Sequence, residues 1–317
     1  MGLPTVKSDK TGLSCAAGAV LLAALAAFSL FTGKYPLTLE GLLSGDDMQL
    51  RVFWTLRVSR TLVGAAGGFA LGAAGFVYQT VFRNPLASPD VIGVSSGASA
   101  GAVTAASFAG ALAAVALALG LSALDRSGRH STIVLAGIAV HALAQTALMC
   151  LKLTADPERE LASIEYWIMG SLNGISGYSI GGNLALCTAC VVVLFLLHRQ
   201  LLLLSAEEGE ARMLGVSVGR LRLAVLLAAT LAVSCVVSLS GLISFVGLLA
   251  PHGARLLTRR NGPGTMLLGG LLGGILLTGA DILARSVAAT ELPVSIFTSL
   301  LGAPFLIFLV IKGRKTV

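Results

Sequence analysis

The stretch "RNPLASPDVIGVSSGASAGA", Arg83 to Ala102, decides how this chain is built. Pro85 and Pro89 have no backbone N–H, and each pushes the residue before it, Asn84 and Ser88, out of the α region. Asn84 and Asp90 suit turns, whereas the small residues after Val91 suit a new helix that Ser95 or Ser96 would cap. The spacing therefore predicts a rigid corner with Arg83, Asn84 and Pro85 at its head, joining two closely packed helices.

What flanks the corner sets its environment. The chain has 317 residues, 56% hydrophobic and 12% charged, with a mean hydropathy of +0.89. A soluble domain of this size leaves too much of its chain at the surface to hide that composition. Apolar runs at 13–31, 58–80, 91–124, 131–151, 183–204, 222–250, 264–290 and 294–311 have the length a bilayer crossing needs, about 20 residues. The runs 91–124 and 222–250 exceed one crossing, with Gly110 and Gly241 as turning points. The expectation is an all-α polytopic membrane protein with about ten transmembrane helices, organised as a single domain over 1–317. The run after Lys7 and Lys10 is too long for a signal core and ends in no small-x-small site, so it reads as a retained first helix.

Charge orients the bundle. If both termini share one side, that side carries Lys7, Lys10, Arg83, Arg126, Arg129, Arg199, Arg212, Arg220, Arg222, Arg255, Arg259, Arg260, Lys312, Arg314 and Lys315. The positive-inside rule makes it the cytosol. The net charge of +7 then calls for no nucleic acid. In the second helix Gly64, Gly68, Gly72 and Gly75 recur at nearly one-turn spacing, a strip that admits another backbone and predicts a central position.

Several chemistries are missing. There is no G-x-x-x-x-G-K-[ST], so the chain holds no ATP in a P-loop. His130, His141, His198 and His252 show no metal-ligand spacing, and no nucleophile elbow occurs. Cys187 and Cys190 form a C-x-x-C inside an apolar run, where packing is the simpler role. Asp281 is the one convincing intramembrane acid, and Arg285 one turn later can neutralise it. An intramembrane enzyme using His141, His252 or Asp281 and an ion-coupled transporter are the alternatives from other classes.

Seven segments run in a fixed order: R-x-x-R (57–60), the glycine-rich helix ending at Gln79, "RNPLASPDVIGVSSGA", "GE-A--LG" (209–215), "FVGLLAPHGARLL" (245–257), "ADILAR" (280–285) and "ELP…LGAPF" (291–305). From about Arg57 to Lys312 the chain resembles the permease family of type II ABC importers, which carry iron-siderophore complexes, haem, vitamin B12 and related chelates. Ser59 departs from the family's usual proline, Ser295 from its usual glycine, and "TRRNGPGTMLLGG" from its usual inner loop.

The resemblance implies the type II importer permease fold. It also implies a second permease subunit, two cytosolic ABC ATPases holding ATP and Mg, and an extracytoplasmic substrate-binding protein. No cofactor is expected on this chain. Glu210, Ala211, Leu214 and Gly215, in the cytosolic segment 205–221, are implied to couple to the ATPase, beside the corner at Arg83, Asn84 and Pro85. Ser131 and Thr132 are implied to form an inner gate, although capping of the fifth helix explains them equally. Arg57, Arg60 and Arg285 are implied to dock the binding protein, with interfacial snorkelling, or for Arg285 a bond to Asp281, as the plainer alternative. Iron-siderophore is the cargo the family uses most, ahead of haem and cobalamin.

Overall fold

In a computed structural model the described residues are 10–91, 94–95, 104–124, 130–158, 160–175, 180–205, 213, 217–288 and 290–313. They are helical and turn segments, with no strand among them. Helix α1, Lys10–Phe31, is apolar and largely unburied, as expected of a peripheral lipid-facing helix. The following outer segment turns through Leu39–Leu43 and then starts α2 with Asp46. The Asp46 carboxylate accepts from the N–H groups of Gln49 and Met48, satisfying two orphan donors of the helix start. Those bonds, that from Gln49 foremost, hold its pKa below the usual carboxylate range.

Helix α2, Asp47–Val81, is the centre of the bundle, with 78% of its apolar window buried. Two π-helical turns, Val52–Val58 and Val63–Gly67, interrupt its α geometry and rotate the faces of its two halves relative to each other. As the glycine strip predicts, the half from Gly67 onward is enclosed by neighbouring helices.

The chain leaves α2 through the expected corner. Arg83 takes a left-handed conformation (φ 47°), and Asn84 N–H donates to the Gln79 carbonyl. The Asn84 side chain accepts from Leu86 N–H at 2.9 Å, and Arg83 Nε donates to the Leu204 carbonyl at 3.1 Å. Pro85 is exposed at the tip. Beyond Leu86 the prediction needs correction, because the stretch to Asp90 does not stay in the corner. Ala87, Ser88 and Pro89 are buried, and the Pro89 ring packs against Gly247, which in turn faces the Leu71 carbonyl. Leu71 lies about 15 Å along α2 from its inner end, at 1.5 Å per residue. Proline permits extended backbone as readily as a tight turn, and here the chain uses it to run back into the bundle.

Among the described residues the longer helices that follow are α3 (Thr104–Leu124), α4 (His130–Thr154), α5 (Leu161–Ile168), α6 (Ile180–Leu196), α7 (Val218–Ser240), α8 (Val246–Thr258), α9 (Pro263–Ser286) and α10 (Val294–Gly313), with a short helix His198–Leu203 between α6 and α7. Gly241 ends α7 as predicted. Its φ is +71°, and a Cβ there would lie 3.1 Å from the Trp167 carbonyl carbon. Gly110 makes no turn and lies inside α3, where the surrounding Ala and Leu favour continued helix and outweigh one permissive residue. Pro251 stands within the short α8 rather than at its inner end, and Pro304 stands within α10 without breaking it. In membrane helices neighbouring groups re-satisfy the backbone that proline frees. Pro251 has no N–H for the Gly247 carbonyl four residues earlier, and that carbonyl is directed onto Gly75 of α2.

Among the described residues five helices are long and apolar enough to cross a membrane, and shorter apolar helices include Ile180–Leu196 and Val294–Phe308. Helix α9 lies along α2 backbone to backbone, glycine against glycine. Cys187, Cys190 and Cys235 are buried free thiols in the α6–α7 contact, which agrees with a packing role.

Candidate functional site

The C-terminal ends of α1 and α9 and the N-terminal half of α2 meet in a cluster of charge. Arg60 of α2 and Arg285 of α9 share the Asp281 carboxylate. Arg60 Nε lies 2.7 Å from Oδ1, and Arg285 Nη2 lies 3.0 Å from Oδ2. Arg60 Nη1 also reaches Glu291 Oε2 at 2.8 Å. Arg285 goes on to donate to the Ser29 and Thr32 carbonyls (3.2 and 2.8 Å) and to Ser29 Oγ (2.6 Å). Arg57 donates to the Thr32 and Tyr35 carbonyls. Helix α1 ends at Phe31, so its C-terminal carbonyls lack helical partners, and the two guanidinium groups supply donors and positive charge there.

None of these arginines projects freely from the protein. Arg57, Arg60 and Arg285 are 7%, 7% and 3% exposed. The pairing of Asp281 with Arg285 was legible from the i,i+4 spacing, whereas the two bonds from Arg60 were not. Three guanidinium groups face two carboxylates, which leaves an excess of one positive charge. Arg57 Nε and Arg60 Nη2 are buried without a hydrogen-bond partner.

A second polar assembly sits within the bundle where two chain breaks meet. Phe245, in a left-handed conformation (φ 68°), precedes α8, and its N–H donates to Asp90 Oδ2 at 3.2 Å. Ser95 Oγ donates to Asp90 Oδ1 at 2.5 Å. The Phe245 ring lies on Gly302 of α10, where a Cβ would be 2.6 Å from the Phe245 Cβ. Beside them is a cavity of about 330 Å³ between α4, α8 and α10, and His141 of α4 lines it. His141 is thus placed at a cavity.

A third assembly braces the C-terminal end of α2. Arg255 of α8 donates to Gln79 Oε1, to Thr80 Oγ1 (3.2 Å) and to Asn261 Oδ1 (2.9 Å), and its guanidinium lies 4.7 Å from the Phe76 ring centre. Gln79 Nε2 donates to the Leu248 carbonyl at 3.2 Å, which closes a link between α2 and α8. Sequence reasoning named the "APHGAR" segment but not this brace, which joins residues far apart in the chain. His252 sets its ring edge against Phe305, with 5.7 Å between ring centres.

Glu210, Ala211, Leu214 and Gly215 lie outside the described residues. Ser131 and Thr132 fall in the first turn of α4, with side chains outside the described set. Among the described residues no group of His, Cys, Asp or Glu could hold a metal ion. Ser295, which replaces the family's usual glycine, donates to the Leu242 carbonyl at 2.6 Å and so ties the start of α10 to the α7–α8 break.

A central helix packed on glycine, re-entrant segments that meet inside the bundle, and buried charge at one end define a polytopic transport protein. The chain belongs to the FecCD transport family, whose model matches residues 21–312. It is 36% identical over 268 residues to the cobalamin import system permease protein BtuC of Halobacterium salinarum, covering 80% of this chain and 72% of that protein. It is 35% identical to the hemin transport system permease protein HmuU of Yersinia pestis, covering 93% and 94%. A solved structure described as an inward-facing conformation of a metal-chelate type ABC transporter superposes with a TM-score of 0.81 at 30% identity, covering 94% of this chain and 98% of that one. The protein is therefore an ABC importer permease with the type II fold, a multi-pass membrane protein and a transport subunit rather than an enzyme.

Proposed function

We propose that this permease imports a metal chelate, an iron-siderophore complex foremost, across the cytoplasmic membrane, with both termini in the cytosol. It works as a homodimer with two cytosolic ABC ATPases, which hold ATP and Mg, and an extracytoplasmic binding protein. The observation that carries this reading is the mid-depth cavity beside two re-entrant breaks, since discontinuous segments at that depth are where transporters handle cargo. Haem and cobalamin are the competing cargoes, in keeping with what the relatives are named for. The test is ATP-dependent uptake into proteoliposomes holding permease, ATPase and cognate binding protein, with ferric siderophores, haem and cobalamin offered in parallel. Uptake of haem or cobalamin without any ferric siderophore overturns the iron assignment.

Coupling to the ATPase is assigned to Glu210, Ala211, Leu214 and Gly215, with the corner at Arg83, Asn84 and Pro85 beside them. The segment opens with acids suited to a helix N-terminus, and Ala211 and Leu214 at i,i+3 give a small apolar face. Ala211→Trp is expected to cut ATPase co-purification or uncouple hydrolysis from uptake by about tenfold, about 1.4 kcal/mol, while insertion and dimerisation stay normal. Wild-type assembly and uptake in this variant would move the coupling role to the corner. Ser131 and Thr132 are assigned to the inner gate.

The outer cluster is assigned to binding-protein capture through its excess positive charge rather than through free side chains. Arg57 is the residue to test, because it joins no carboxylate in the cluster and its loss leaves the Asp281 bonds in place. Arg57→Gln is expected to slow association with the binding protein several-fold at low salt and to flatten its salt dependence, as rim charges mainly steer encounter. An unchanged association rate at every ionic strength would count against docking at this cluster.

A further inference from the structure

Half-helices that begin inside a membrane protein present unpaired N–H groups and the positive end of a dipole, and in transporters these commonly receive an anionic group of the cargo. Helix α8 begins in this way, with Gly247 against Leu71 of α2, yet its N-terminus is not open. Asp90, carried in by the re-entrant segment, has one carboxylate oxygen on the Phe245 N–H and the other on the Ser95 hydroxyl. The chain supplies its own anion where a transported anion would bind.

The same carboxylate lines the cavity, together with His141, Phe245, Ile138, Leu248 and Leu306. The cavity is open along one side rather than enclosed, as the wall of a passage would be. Helix α4 packs chiefly on α3, which leaves its His141 face turned to this opening. Cargo passing here meets aliphatic side chains, one imidazole and one carboxylate already engaged by the helix start.

We propose that Asp90 is a specificity-determining residue that makes this passage select neutral or cationic metal chelates with an apolar rim, and reject oxyanions and polyanionic chelates. A second anion entering the cavity meets like charge where little water screens it, and the helix terminus that could have compensated is already occupied. A neutral chelate suffers no such repulsion and gains the apolar walls, and a cationic one is attracted.

This inference rests on the importer reading, and the experiment separates the two. Permease in nanodiscs, without binding protein, is titrated with three probes: a neutral ferric trihydroxamate, a trianionic ferric triscatecholate and molybdate. The wild type is expected to hold the trihydroxamate about tenfold or more tighter than either anion, and Asp90→Asn is expected to shrink that ratio to about threefold or less. If the variant does not yield monodisperse protein, Ile138→Lys, which sets a positive charge in the same cavity from a position that is 53% exposed, is expected to shrink the ratio in the same direction. Equal ranking of the probes by the wild type, a ratio unmoved by either variant, or no binding above empty nanodiscs each overturns the proposal. ATP-driven uptake with the full partner set is measured on the same preparation. Uptake without charge ranking leaves the importer reading standing and removes this one, whereas no chelate uptake at all removes the reading beneath it.

Discussion

Asp281→Ala is expected to destabilise the folded permease by about 3–5 kcal/mol, the cost of removing one partner from a buried, hydrogen-bonded ion cluster. Asp281 is 1% exposed and bridges α2 to α9, because each of its oxygens is taken by a different arginine. Without the carboxylate Arg60 keeps Glu291, and Arg285 keeps the acceptors of α1 and the backbone carbonyl of Asp281, so three buried guanidinium groups share one carboxylate. The excess charge would be buried and uncompensated, which makes truncation worse than the net worth of the pair. Asp281→Asn preserves the shape and one acceptor oxygen and is expected to lose less. Thermal unfolding of the purified protein in detergent checks both, with Glu291→Gln as the milder reference because that side chain is 20% exposed. Equal melting of Asp281→Ala and wild type would mean the cluster holds nothing together.

How much of this was legible in the sequence depends on the distance each feature spans. The Asp281–Arg285 pair sits one turn apart on one helix, so its spacing announced it. The glycine strip announced close packing for the same reason, as did the Gly241 turn, where a local break coincided with an over-long apolar run. The bonds from Arg60 to Asp281 and Glu291 join residues more than two hundred positions apart, and the i,i+3 spacing of Arg57 and Arg60 says that they share a face but not which way it turns. Gly110 misled in the opposite direction, and Pro304 shows the same tolerance within a helix. Glycine permits a turn without requiring one, and a membrane bundle lets a helix run through a proline. The return of Pro89 and Asp90 into the bundle was hidden because two prolines describe an extended path and a tight corner equally well. The polar residues of 83–90 pointed to a function, and the structure divides them. Arg83 and Asn84 shape the corner, whereas Asp90 holds the start of α8.

Gly72→Leu is expected to prevent α2 and α9 from seating and to abolish monodisperse protein, and Gly72→Ala to lower stability by about 1–3 kcal/mol. A Cβ on Gly72 would lie 2.9 Å from the Gly269 carbonyl carbon and 3.2 Å from Gly270 Cα. Gly68 repeats the contact one turn earlier, 2.8 Å from both the Gly273 carbonyl carbon and Gly274 Cα. These neighbours are backbone, so no rotamer change relieves the overlap, and the helices must move apart along their shared length. Widening that seam would also weaken the dispersion contacts on either side of it. Against this stands the intrinsic gain of alanine over glycine in a helix, about 1 kcal/mol, so the sign of each substitution depends on the space around it. Gly279, on the same α9, has nothing within 4 Å of its Cβ position. Gly279→Ala is therefore expected to be neutral or to stabilise by up to about 1 kcal/mol. Melting curves for the two alanine variants, run side by side, separate seam from propensity. If both shift in the same direction by the same amount, the glycines of α2 are not there to admit another backbone.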